Sequence, residues 1–304
     1  MPCKSCCKKK KLEIITEDIY LDAKFCSDTI YVIIGEVRIL PMVSLHVEPN
    51  TQIYITNGTF TNSLNNPTKS KLIFETGSKL YGTTIYFKAC GNDYLPENLA
   101  DNGGIFFLGS SSKAEKDLVS VNFNINQSSF NAEFISLSYL GGKDNMNDND
   151  NLIKSDKLDD YDAISIVGVN NNEWSIKNVY SEHSGDDGFD VENSSIELDS
   201  VEVKLPSEDG LNITSSRVNI LKNLTINMEI TEVFDRNIFD LEIDDGPSFV
   251  RLEKGCGVKI DGIFGDQLTL VSGDLPQPDG DKPYLYDGIL LSGQTYVYRG
   301  NFTL

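Results

Sequence analysis

Five carboxylates fall at spacings that a repeating fold would superimpose. Asp162, Asp187 and Asp209 recur at nearly equal intervals, with Asp186 beside the second and Glu208 beside the third. If each interval is one coil of a stacked β structure, successive carboxylates lie one strand spacing apart, roughly 4.8 Å. That is near the ~5–5.5 Å between the two carboxyls of a retaining glycosidase. Like charges so close raise one pKa, which separates an acid from a base. Asp186, Asp187 and Asp209 are therefore the candidate catalytic set of a hydrolase or lyase. The same column, as Asp162, Asp187 and Asp209, is a candidate calcium site, since a hard cation takes six to eight oxygens and turn carbonyls can complete the set. Asp144–Asp150 is a second acidic candidate, without the Gly and closing Glu of an EF-hand. The plainer role is conformational. Asp-Gly recurs at 187, 209, 261 and 287, and an Asp side chain before Gly bonds the turn backbone.

Other chemistry is sparse. The only histidines are His46 and His183, and there is no phosphate-binding glycine loop, paired Cys-x-x-Cys or nucleophile elbow. Three of six cysteines, Cys3, Cys6 and Cys7, precede Lys8, Lys9, Lys10 and Lys11. A closed zinc site needs a second Cys or His pair nearby, and none follows. Cysteines beside a polybasic run suit acylation next to an anionic membrane, or crosslinking. The lysines are not followed by the apolar stretch of a secretory signal, so synthesis in a cytoplasm is expected.

That arm precedes a body of opposite charge. Residues 1–11 hold five Lys and no acid, so the remainder carries a net −25. Broad nucleic-acid binding is excluded by this balance, because phosphate contacts need clustered Lys and Arg. The longest apolar run, Ile30–Ile34, is far too short for a spanning helix.

From residue 12 onward, short runs of Val, Ile, Phe and Tyr alternate with polar residues at period two, as in Thr29–Ile34 and Lys71–Glu75. This is the signature of strands with one buried face. The longer repeat decides the architecture. Residues 187–198 (DGFDVENSSIEL) align with 209–220 (DGLNITSSRVNI) at every apolar position. The stretch 162–166 aligns with 187–191, and Trp174–Ile176 with Ile196–Leu198. So short a unit cannot bury its apolar face alone, and copies must stack. The expectation is an all-β, right-handed parallel β-helix, with Phe189 over Leu211 and Leu198 over Ile220, and Trp174 in the core. Its parts are a basic Cys/Lys arm over 1–11, the β-helix over 12–227, and further coils or an irregular β-rich cap over 228–304. Residues 143–162 are too polar for a core and read as a protruding loop.

The run Ile30–Ile39 (IYVIIGEVRI), followed by Ser44–Thr51 (SLHVEPNT), resembles the opening of pectin-lyase-like right-handed β-helix proteins of bacterial cell surfaces. Asn102–Gly109, Ile135–Gly142 and Ser184–Phe189 fit the same family in the same order. This chain departs from it with Asn50 where Gly is usual, with the Cys-Lys arm, and without an export signal. The resemblance implies the solenoid fold and, in most such proteins, surface or adhesin-type roles. It also raises polysaccharide hydrolysis or cleavage. Polygalacturonases, however, pair their Asp-Asp with a Gly-His-Gly turn and an Arg-Ile-Lys strand, and neither occurs here.

The expected function is a non-enzymatic structural or attachment protein, in particular a capsid-associated virion component of a large DNA virus made in host cytoplasm. The alternatives are a polysaccharide-active enzyme and a bacterial cell-surface module. Expected partners are other structural proteins of a particle or envelope, and an anionic membrane through the arm. No nucleic acid is expected, and calcium is the one candidate cofactor.

Overall fold

A computed structural model describes residues 10–61, 67–110, 127–142, 161–228, 238–242, 248–253, 255–261, 284–286, 289–291 and 296–299. Parallel strands wind through three faces. The first face runs from Lys11–Ile15 through Thr29–Ile33, Thr51–Thr56 and Thr84–Cys90. It continues in the second halves of Ser129–Ser138, Trp174–Glu182, Ser195–Lys204 and Arg217–Asn227. The second face stacks Glu36–Ile39, Lys71–Phe74, Ile105–Leu108, Ile164–Val167, Asp190–Glu192, Leu211–Thr214 and Phe239–Glu242. The third holds Ala23–Phe25, Ser44–Val47, Lys79–Gly82 and the first halves of the same four long strands. The architecture is a parallel β solenoid. The crossover rule for parallel strands gives it a right-handed winding.

The repeat in the sequence is a strand register. Val191 pairs with Ile213, Leu198 with Ile220, and Leu211 with Phe239. Each inward column is apolar, as Ile166, Val191, Ile213 and Leu241 show, and all four are fully buried. Trp174 is buried at ring distances of 5.6 Å from Phe107 and 6.4 Å from Phe130. After Leu198 the register slips against Arg217–Asn227, so that Ser200 faces Asn223. The extra residue, at Leu221–Lys222, is taken up in a β-bulge, which lets one coil be longer than the next.

Corners repeat as faithfully as strands. Tyr139, His183 and Leu205 occupy one corner in successive coils with φ of 58°, 53° and 51°. The N–H of each donates to the carbonyl one coil on, of Glu182, Lys204 and Asn227. A left-handed residue other than Gly costs roughly 1–2 kcal/mol, which these inter-coil bonds offset. Asn50, the departure from the family's Gly, has φ 64°, and Asn is among the side chains that tolerate this region.

Parallel pairing continues past residue 227. Gly257–Asp261 joins the first face, and Phe249–Leu252 and Tyr296–Arg299 join the third. Tyr284–Tyr286 and Ile289–Leu291 pair antiparallel. At the other end, Lys11 belongs to the first strand rather than to the arm, paired with Thr29 in the ladder and 3.4 Å from Asp28. Residues 1–9, and so Cys3, Cys6, Cys7, Lys8 and Lys9, lie outside the described residues, as do 143–160.

Lys11 and Glu13 stand opposite Thr29 and Tyr31, on the core side of the terminal strand. Inward-pointing charges are one way to stop a sheet edge from pairing with another chain. Lys11→Val with Glu13→Val is therefore expected to make the protein associate through this end. Light scattering after size exclusion checks it. A variant that stays as monodisperse as the parent shows that these charges do not guard the edge.

Candidate functional site

Asp187 and Asp209 are both buried, immediately before second-face strands. The N–H of Asp209 donates to Asp187 Oδ1 at 2.8 Å, one coil apart. Asp162, half-buried in the coil before, accepts from Ser165 Oγ at 3.0 Å, and its carboxylate also takes the Asp187 N–H. Asp162 and Asp187 thus each grip the backbone of the next coil. Asp186 joins it differently: its carbonyl accepts from the N–H groups of Ser207 (3.2 Å) and Glu208 (3.3 Å). His183 lies apart from this chemistry, its ring stacked on Tyr139 at 4.6 Å.

Burial sets the electrostatics. It pushes the Asp187 carboxyl up to about 7, with the Glu208 and Asp240 charges adding and the Asp209 N–H and Asn212 side chain pulling it down. Asp162 is pushed well above the ordinary carboxylate range, first by burial, then by the Asp190 and Asp187 charges. The outer side of the second face adds to the shift. In the early coils it is balanced, with Glu36 bonded to Arg38 at 2.7 Å and 3.3 Å from Lys71. From Ser165 onward the outward column reads Ser165, Asp190, Asn212 and Asp240, with no basic residue among them.

The arrangement can hold a proton near neutral pH. Among the described residues, no group of three or more His, Cys, Asp or Glu side chains is placed to hold a metal ion. The Asp144–Asp150 candidate lies outside the described residues. A shallow groove of about 360 Å³, lined by Asn171, Ser175, Lys177, Glu197, Asp199 and Leu221 among others, shares no residue with the column. Because Asp187 spends an oxygen on the next coil, chelation is expected to leave the melting curve unchanged. Differential scanning fluorimetry with and without EDTA checks this. A fall in melting temperature on chelation, abolished by Asp187→Asn, would restore calcium to the column.

One carboxylate with a comparable role is not legible in the sequence. Glu173 is 1% exposed and accepts from the N–H groups of Ser128 (2.9 Å), Asn170 (2.9 Å) and Ser110 (3.2 Å). Asn170 lies in the same turn, but Ser110 and Ser128 come from the corner of the preceding coil, and nothing in the sequence announces those two contacts. Serines do similar work: Val169 N–H donates to Ser194 Oγ and Ser194 N–H to Ser216 Oγ, both at 2.8 Å.

No family model matches the chain, and no curated protein or solved structure matches it. The class is accordingly the one the fold defines: an all-β protein built on long parallel sheets.

Proposed function

We propose that the protein is a non-enzymatic structural or attachment module of the pectin-lyase-like β-helix type. The proposed setting is a particle or envelope, in its most specific form the capsid-associated layer of a virion. The observation that carries this reading is how the acidic column spends its bonding capacity. Asp187 accepts a backbone N–H from the next coil at 2.8 Å and Ser165 bonds Asp162 at 3.0 Å. The Asp187 bond ties one coil to the next, while the Asp162–Ser165 bond fixes the corner of its own coil. The acidic exterior, net −20 over the chain, favours solubility and discourages nonspecific association. The test is quantitative mass spectrometry of purified particles and cell envelopes. Enrichment at a fixed ratio to the main shell protein is expected, and recovery only in the soluble fraction would sink the proposal.

A polysaccharide-active enzyme is the second reading, favoured by one observation: an Asp187 carboxyl held up to about 7 among other carboxylates is poised as a general acid. Release of reducing or unsaturated ends from acidic and neutral glycan polymers, lost in both Asp187→Asn and Asp209→Asn, would establish it.

A further inference from the structure

Among the described residues, the first and second faces are laddered from coil to coil without a break, and the third is not. On the third face, residues 130–132 pair with 174–176, and 195–198 pair with 217–220. Between them, residues 174–177 and 195–199 belong to successive coils but share no ladder. Pairing of these two coils begins only at Asn178 and Ser200. The third face is therefore two sheets, parted by a seam.

An inserted turn accounts for it. After the corner residues Ser194 and Ser216 the chain enters its third-face strand at once, at Ser195 and Arg217. After Val169, which occupies the equivalent corner, it first turns through Asn170–Glu173, with Glu173 N–H on Asn170 O at 2.8 Å. Nine residues separate Val169 from Asn178, against six from Ser194 to Ser200. The extra length holds the two strands out of register until Asn178.

The seam is tied at both ends and lightly held between. Ser195 N–H donates to Val169 O at 2.8 Å at the corner, and the Asn178–Ser200 ladder closes the other end. Phe130 N–H donates to Glu173 O and Arg217 N–H to Ser194 O. Backbone groups alternate sides along a parallel strand, so Trp174 and Ile176 face the seam from one strand and Glu197 from the other. Exposed ion pairs stay within each side: Lys177 bonds Glu133 at 2.8 Å, and Lys222 bonds Asp199 at 2.7 Å. The shallow groove follows the seam, with Ser175 and Lys177 on one bank and Glu197 and Asp199 on the other. Trp174 also lines it, 5% exposed, and its indole N–H has no partner, whereas a buried Trp N–H usually finds one.

We infer that the solenoid opens locally at this seam while its other two faces stay paired. Opening here breaks fewer backbone bonds than opening elsewhere on the third face, and regions poor in such bonds open at the lowest free energy. Once open, the seam admits small polar solutes to Trp174, whose ring meets Phe107 and Phe130.

Residue-resolved hydrogen exchange of the full chain tests this. Protection of the Ile176 and Glu197 amides should be at least tenfold lower than that of Ala132 and Asn219, their laddered counterparts in the neighbouring coils. Continuing the Asn178–Ser200 register backward sets Ser175 opposite Glu197 across the seam. Ser175→Asp puts like charges there and should lower protection at Ile176 and Glu197 about threefold further, the scale of a cross-strand charge pair. Ser175→Lys should raise it by a similar factor. Acrylamide quenching of Trp174 emission should rise in the first variant and fall in the second. Equal protection at the four amides overturns the inference. So does a pair of variants that shift Ile176 and Glu197 in the same direction, or that leave them unmoved.

Discussion

Raising the pH from 5 to 8 is expected to lower the melting temperature, and Asp187→Asn is expected to remove most of that loss. The native Asp187 carboxyl is pushed up to about 7 from 3.8, chiefly by burial. Between those two values the folded state keeps a proton that the unfolded state releases. Stability therefore falls as pH rises through this window and levels off above it. At 1.36 kcal/mol per pH unit, the full interval of about three units sets an upper bound of about 4 kcal/mol. For a chain of 304 residues, half that amount moves the melting temperature by roughly 3 °C. Asp162 shifts in the same direction and adds to the trend. The amide of Asn carries no charge to desolvate, and its Oδ1 can still accept the Asp209 N–H that Asp187 Oδ1 accepts at 2.8 Å. The advantage of Asp187→Asn over the parent should thus be larger at pH 8 than at pH 5. Calorimetric scans at the two pH values, at fixed ionic strength, measure both quantities. If the variant loses as much stability as the parent, the pH dependence comes from general repulsion in a chain of net −20 and not from this carboxyl.

What the sequence disclosed and what it withheld follow from the range of the interactions. The apolar columns were legible because an inward residue must recur once per coil, so Phe189, Leu211 and Phe239 take equivalent places. Equal intervals made Asp187 and Asp209 alignable, and both prove to share one corner. The three-faced cross-section was not legible, because corner lengths vary. Ile33 pairs with Ile55, a short coil further on. Ile85 pairs with Ile135, more than twice as far along the chain, since whole segments are inserted at corners. For the same reason Glu173 stayed hidden, since two of its three donors, at 110 and 128, come from the corner of the preceding coil, with an inserted segment between them. The glycine-rich stretches were legible as markers, and the structure supplies their physics. Gly104 has φ +62° and a Cβ there would sit 2.0 Å from the Asp162 carbonyl, so adjacent corners touch backbone to backbone. Asn102 Oδ1 accepts from both Gly104 and Gly141 N–H at 3.1 Å, a bond between coils that neither stretch predicts alone. Lys11 reads as part of the arm because a lysine run looks solvated, whereas strand pairing is decided by the backbone.

Phe107→Ala is expected to be among the most damaging single substitutions in the core. Phe107 is fully buried. Its ring stacks on Phe74 at 4.9 Å and meets Phe130 at 5.0 Å and Trp174 at 5.6 Å, both edge-on. Truncation loses the transfer free energy of the ring and leaves a cavity, together about 3–5 kcal/mol. The cavity cannot readily close. Its walls are strands Lys71–Phe74, Ile105–Leu108 and Ile164–Val167, locked side by side in parallel register. Lateral collapse would break hydrogen bonds on both sides of Phe107. Phe107→Leu keeps most of the volume and should cost about half as much or less. Trp174, the only tryptophan, touches the ring and reports on the site directly. In the Ala variant its emission should shift to the red below the melting transition, because one aromatic wall of its pocket is gone. Urea titration followed by this emission and by far-ultraviolet circular dichroism gives the stability change and its cooperativity. Coincident curves displaced by about 3–5 kcal/mol are the expected outcome. A displacement under about 1 kcal/mol, the scale of a surface change, would mean that the four rings do not form one packed cluster. Two separated transitions would mean that the coils on either side of Phe107 unfold independently once it is removed, as nearest-neighbour coupling in a stacked array allows.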